Sequence, residues 1–149
     1  MATIRLARDF KEFLQLLRSA KIEYLLVGGY AVGHYGYPRA TGDLDIWVAV
    51  HDRNVAALVS ALREFGFDVP ELTPLLFQQP RRVIRMGVPP VRIEILTGID
   101  GVAFEECYSR RQIVEIDGIG VDVISLEDLK TNKRAVGRHQ DFDDLENLP

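Results

Sequence analysis

Apolar residues first recur at helical spacing between about Asp9 and Ala20, where Phe10, Phe13, Leu14, Leu16 and Leu17 share one side and Asp9 is placed to cap the element. Tyr24 to Val27 is a short apolar run of strand length that stops at Gly28-Gly29. Tyr30 to Tyr35 reads as a short helix, and Tyr37-Pro38-Arg39 as a loop. Asp43 to Val50, rich in Ile, Trp and Val, predicts a strand, and Asp52 is expected to cap a helix through about Phe65. Leu72 to Phe77 fits a helical turn or irregular chain. Arg82 to Met86 and Val91 to Leu96 read as strands joined through Gly87-Val88-Pro89-Pro90. Asp117-Gly118 between two alternating runs, Gln112 to Ile116 and Ile119 to Ile124, predicts a tight hairpin. Ser125 opens a helix to about Val136, Gly137 ends it, and a last helix carries Phe142, Leu145 and Leu148. Hairpins beside crossover connections make this an α/β (α+β) domain over 1–149, a mixed β-sheet flanked by helices.

The chemistry gathers where two of these elements begin. Side chains alternate along a strand, so Asp43, Asp45 and Trp47 share one face and Leu44, Ile46 and Val48 the other. Two carboxylates about 6–7 Å apart at the backbone can converge on one hard cation or a pair of them. Without a cation they repel, which raises one pKa. The plainer account has Asp43 start the strand after a turn and Asp45 face water. Gly28-Gly29 lets the backbone approach a ligand closely, or serves a tight turn. It is no dinucleotide fingerprint, because the middle glycine would fall at Tyr30, and no Gly-Lys-Ser/Thr follows to make a P-loop.

Composition narrows the class. With 149 residues, 47% hydrophobic and 27% charged, the chain has a globular rather than a fibrous, disordered or disulfide-scaffold make-up. Cys107 is the only cysteine, so it forms no internal bridge and is expected as a small buried residue in a reducing, cytoplasmic setting. His34, His51 and His139 show no ligand spacing for zinc. No apolar run approaches a membrane span, and Met1 to Phe10 lacks a signal-peptide core. The net charge of −4 argues against a bulk nucleic-acid coat protein, yet Arg81, Arg82, Arg85 and Arg92 fall in a window without acids. Such a window can hold phosphates or form a solvated strand face. Tyr30, Tyr35 and Tyr37 could stack on a base or fill core and rim positions.

Taken together, Gly28-Gly29, thirteen intervening residues, Asp43-Leu44-Asp45-Ile46 and Arg92-Ile93-Glu94-Ile95-Leu96 resemble the polymerase-β-type nucleotidyltransferases. Arg39-x-Thr41-x-Asp43-x-Asp45 looks like the form found in small bacterial and archaeal members, including those tied to toxin–antitoxin and abortive-infection systems. The segment with Lys133, Arg138 and Asp141 to Asp144 is similar to a C-terminal motif of those groups. The resemblance implies magnesium, two ions, on Asp43, Asp45 and Glu94, with a nucleoside triphosphate, ATP foremost, at Gly28, Gly29, Arg39, Thr41 and Lys133. It implies transfer of a nucleoside monophosphate to a protein, RNA or small-molecule hydroxyl. A chain this short suggests that a second copy or a partner protein supplies specificity. Two departures stand out: Glu replaces the commoner Asp at position 94, and the Ser of the Gly-Ser variant is absent. Lys133 could equally lie on a solvated helix face, Arg39 could pair with a nearby acid in its turn, and Asp141 could cap the final helix. The rival readings are a catalytically silent nucleotide-binding or antitoxin-like module and a metal-dependent nuclease. Leu96 stands where the Glu-x-Lys of one common nuclease site needs lysine.

Overall fold

In the computed structural model, Tyr24–Val27 (β1) is buried at all four positions because it lies inside a sheet covered on both faces. The other strands are Asp43–Val48 (β2), Val83–Met86 (β3), Arg92–Leu96 (β4), Gln112–Ile116 (β5) and Ile119–Val123 (β6), and the six form one sheet in the order β3-β4-β2-β1-β6-β5. The pairs β1–β6 and β2–β4 run parallel and the remaining three antiparallel, so the expected mixed sheet is present. The structure describes residues 4–39 and 41–149; Met1 to Thr3 of the amino-terminal segment and Ala40 of the Arg39-to-Asp45 motif lie outside the described residues.

The helices are Arg8–Ser19 (α1), Gly28–His34 (α2), Asp52–Glu64 (α3), Phe104–Ser109 (α4), Leu126–Val136 (α5) and His139–Asn147 (α6), with a 3-10 turn at Pro74–Phe77. The apolar stripe of α1 buries Phe10, Phe13, Leu14 and Leu17 completely, each contributing about 2 kcal/mol of hydrophobic free energy. Phe13 meets Phe65, just beyond α3, edge-on at 5.2 Å. On β2 the alternation holds: Leu44 and Ile46 are fully buried, while Asp43 and Asp45 share the opposite face with Trp47. Trp47 is covered by Phe104 of α4 at 5.1 Å. The Asp117-Gly118 turn has positive φ at both residues, 50° and 81°, as a primed hairpin turn requires. Ser125 accepts the Asp128 amide and Gly137 closes α5 in the left-handed region, both as the sequence pattern predicts.

Several boundaries differ from the sequence reading. Asp9 lies in the first turn of α1 rather than at its cap. His51, not Asp52, caps α3, its Nδ1 accepting the Asn54 amide at 3.3 Å, and β2 stops at Val48. The helix α2 begins directly at Gly28, and the short α4 has no counterpart among the elements that periodicity predicts. The larger correction concerns α6: Phe142 is 52% exposed, whereas Asp141 and Asp144 are fully buried. Its inward face is ionic. Among the described residues no helix is long and apolar enough to cross a membrane.

Candidate active site

Sheet register assembles the acidic residues. Val27 sits opposite Asp45, and Asp45 opposite Glu94, so the end of β1 and the two carboxylates form a row across three strands. Asp43, two residues earlier on β2, projects from the same face. One carboxylate oxygen from each of Asp43, Asp45 and Glu94 lies within 4.8 Å of the other two. The glycine after β1 makes this closeness possible. Gly28 has φ +67°, and a Cβ there would stand 2.0 Å from Asp45 Oδ2. Gly29 is equally confined, since its Cβ would stand 2.6 Å from Thr41 Oγ1. Gly28, Gly29 and Thr41 are thus brought to the acidic row, with Thr41 backing the second glycine.

The three acids differ electrostatically. Two hydrogen bonds from Arg92, Nε to Oδ1 at 3.0 Å and Nη2 to Oδ2 at 2.9 Å, hold the Asp43 carboxyl below the usual carboxylate range. Glu94 accepts from Arg85 Nε at 3.0 Å, and Arg92 Nη2 stands 3.5 Å away. Asp45 has no such relief. Burial first, then the charges of Glu94 and Asp43, push its carboxyl up to about 7, and its buried Oδ1 has no hydrogen-bond partner. An all-oxygen donor set with an orphaned buried carboxylate oxygen suits a hard divalent cation, so the residues fit magnesium.

Lys133 does not lie on a solvated helix face. It is 4% exposed, and its Nζ donates to Asp141 at 3.1 Å and to Asp144 at 2.9 Å. It lines, with Gly28, Asp45, Glu94, Arg85 and Arg138, a cleft of about 360 Å³. Arg39 makes a paired contact to Asp144, Nε–Oδ1 2.7 Å and Nη2–Oδ2 2.9 Å, and lines a separate hollow with Gly29, Tyr30 and Thr41. It pairs with an acid, which is the plainer of its two sequence readings. Asp141 supports the start of α6 from its third position, where Oδ2 accepts the Arg138 amide, and its Oδ1 accepts from Lys133. Sequence reasoning did not assign Arg85, Arg92 or Arg138 to the site, although the acid-free arginine window was the available signal for the first two. Tyr30 packs edge-on against Phe10, Tyr35 donates to the Ile124 carbonyl and Tyr37 to Asp143, so all three have structural partners. Cys107 is fully buried, and burial pushes its thiol up to about 12. Among the described residues the only cluster of metal-ligating type is the Asp43–Asp45–Glu94 group, with no histidine in it.

Residues 6–149 match the family model described as "Nucleotidyl transferase of unknown function (DUF2204)". The chain belongs to this nucleotidyl transferase family. Its fold is shared with a candidate nucleotidyltransferase from Thermotoga maritima known from its crystal structure, at a TM-score of 0.60 and 18% identity, over 93% of this chain and 89% of that one. No curated protein matches the sequence. Family and fold therefore agree with the resemblance carried by the glycine pair and the Asp-x-Asp strand, and the carboxylate cluster could hold a metal ion.

Proposed function

We propose that the protein is a magnesium-dependent nucleotidyltransferase that moves a nucleoside monophosphate from a nucleoside triphosphate to an acceptor hydroxyl. The observation that carries this is the convergence of the Asp43, Asp45 and Glu94 carboxylates beside the Gly28 backbone, in a chain of nucleotidyl transferase family and fold. Asp43, Asp45 and Glu94 would hold the cations. The chemistry bound magnesium supplies is offset of triphosphate charge and stabilisation of the attacking and leaving oxygens. Gly28 and Gly29 present side-chain-free backbone to the β- and γ-phosphates, and Thr41 fixes the second glycine. Lys133, held by Asp141 and Asp144, faces the cleft as a fixed positive charge suited to the departing pyrophosphate. Arg39 supports this group through Asp144 rather than by direct phosphate contact. ATP as donor and a toxin–antitoxin setting rest on the sequence resemblance alone.

The test is label transfer from each α-phosphate-labelled ribonucleoside triphosphate, with magnesium and cell extract as a source of acceptors. Wild type should move label onto protein, RNA or a small molecule, and Asp43→Ala should not. Label staying in the triphosphate with every donor would refute the reading.

One observation favours the silent nucleotide-binding module as the second reading. Arg92 and Arg85 already neutralise Asp43 and Glu94, so the acids are tolerated without a cation better than their sequence spacing suggests. Calorimetry with magnesium–ATP separates the two: binding without transfer to any acceptor supports the module.

A further inference from the structure

The sheet has two edges, and they are guarded differently. Strand β3 is four residues long, carries Arg85 at an exposed position and follows Arg81 and Arg82, so charge blunts it. Strand β5, at the edge away from the acidic strands β2 and β4, has no such protection. It holds neither proline nor lysine, and it pairs with β6 without a bulge, from Gln112 opposite Val123 to Ile116 opposite Ile119. Ile113, near its start, is 60% exposed.

Turn geometry decides which backbone groups β5 offers. Asp117-Gly118 is a two-residue turn, so the flanking pair Ile116 and Ile119 exchanges hydrogen bonds, and Val114 and Gln112 do likewise along the ladder. The N–H and C=O groups of Ile113 and Glu115 therefore point away from β6, where no further strand lies among the described residues. The edge is also held in place. Asp117 Oδ2 accepts the Leu6 amide at 2.9 Å and stands 3.6 Å from Lys11 Nζ, which ties the hairpin to α1 and the segment before it.

One face of this edge reads Arg111, Ile113, Glu115 at alternate positions, and the contact of Arg111 with Asp122, the register partner of Ile113, places the arginine on it. That face is complementary to itself. In an antiparallel pairing about a two-fold axis at Ile113, the isoleucine meets its own counterpart, and each Arg111 stands opposite the Glu115 of the other copy. The outward backbone groups then fall at the hydrogen-bonded positions of the new ladder. An axis at Val114 would set Ile113 against Glu115, and one at Glu115 would oppose two acids. Among the described residues Glu115 has no ion-pair partner. Arg111 donates one hydrogen bond, Nη1 to the Tyr108 carbonyl at 2.9 Å, while its Nε stands 3.4 Å from Asp122 without one.

We infer that the protein forms a symmetric dimer in which β5 pairs with β5 of a second copy, antiparallel about Ile113, so that two six-stranded sheets become one. An unrelated strand would offer the same backbone bonds; a second copy adds the charge match on both sides of the axis. The acidic group on β2 and β4 stays outside this contact, so the dimer is independent of the proposed transfer.

The experiment is sedimentation equilibrium of the full chain over the micromolar range. Wild type should sediment at twice the chain mass. Ile113→Lys, at an exposed position, should be monomeric with the wild-type melting temperature. Glu115→Lys should weaken dimerisation about tenfold, because two attractive cross-strand pairs become repulsive. Val83→Lys, on the opposite edge, should dimerise as wild type. Oxidation reads the register. Ile113→Cys should form a disulfide between copies, since the Cα atoms of a hydrogen-bonded pair stand about 5.5 Å apart. Glu115→Cys should not, its counterpart lying about 14 Å away along the strand. Cys107 is buried and does not compete. A monomeric wild type overturns the inference and leaves the edge to a strand of another protein. So does a dimer that survives Ile113→Lys, or cross-linking through Glu115→Cys in place of Ile113→Cys. If Ile113→Lys fails to fold, the two cysteine variants decide.

Discussion

Arg92 grips Asp43 with two parallel hydrogen bonds of 3.0 and 2.9 Å, joining residues that the β2–β4 register places side by side. A cation entering the site competes with this guanidinium for the same carboxylate oxygens. Arg92→Gln should therefore bind Mg2+ about tenfold more tightly, a gain of about 1.4 kcal/mol. Calorimetric titration of both proteins with MgCl2 checks this, and weaker binding by the variant would show that Arg92 orients Asp43 for the metal instead.

Asp45 gives a pH signature. Its folded-state pKa of about 7 lies above the ordinary aspartate value of 3.8, so between these the native state binds more protons than the unfolded chain. The favourable contribution is complete below about pH 4 and is lost as pH rises through about 7. The metal-free protein should lose thermal stability over that window, Asp45→Asn should flatten the slope, and added Mg2+ should restore stability chiefly at its upper end. Melting curves at several pH values decide it. A metal-free slope of the opposite sign would contradict the assigned burial and acid–acid repulsion.

The two glycines should fail differently. Gly28→Ala meets both the Asp45 carboxylate and a left-handed backbone, which for alanine costs about 1–2 kcal/mol. Gly29→Ala meets only the Thr41 side chain. Thr41→Gly should then recover much of the stability lost in Gly29→Ala and none of that lost in Gly28→Ala. Urea unfolding of the two double variants measures the difference.

Lys133 is the shared cation of two buried aspartates. Lys133→Met leaves both without it and should destabilise the fold by about 3 kcal/mol, moderated because Arg39 and Arg138 still reach Asp144 and Asp141. Adding Asp141→Asn and Asp144→Asn to that variant should regain part of the loss. A loss below about 0.5 kcal/mol, read by denaturant unfolding, would mean that the cluster contributes little.

The parts of this architecture visible in the sequence are those carried by short-range pattern. The Asp117-Gly118 hairpin, the Ser125 and Gly137 ends of α5, the alternation along β2 and the glycine pair before it all depend on neighbours within a few residues. The polar partnerships depend on distant chain. Arg92 reaches Asp43, and Arg39 reaches Asp144, only after the sheet has set its register and α6 has docked. Helix α6 is present as the pattern predicts, but its face is misread, because periodicity reports apolar faces and the residues it buries are Asp141 and Asp144. Lys133 stands out in the sequence only through the family resemblance, since by periodicity a lysine in a helical run reads as solvated until its two counter-ions are found.

The line from Val27 through Asp45 and Glu94 to Arg85 runs across the strands, with each neighbour on a different β-strand. A slip of one residue between β2 and β4 would set Asp45 against Ile93 or Ile95 and carry Glu94 to the opposite side of the sheet. Asp43 and Asp45 would stay together on β2 but without their third carboxylate, so the complete group exists only in chains whose strands have docked in the native alignment.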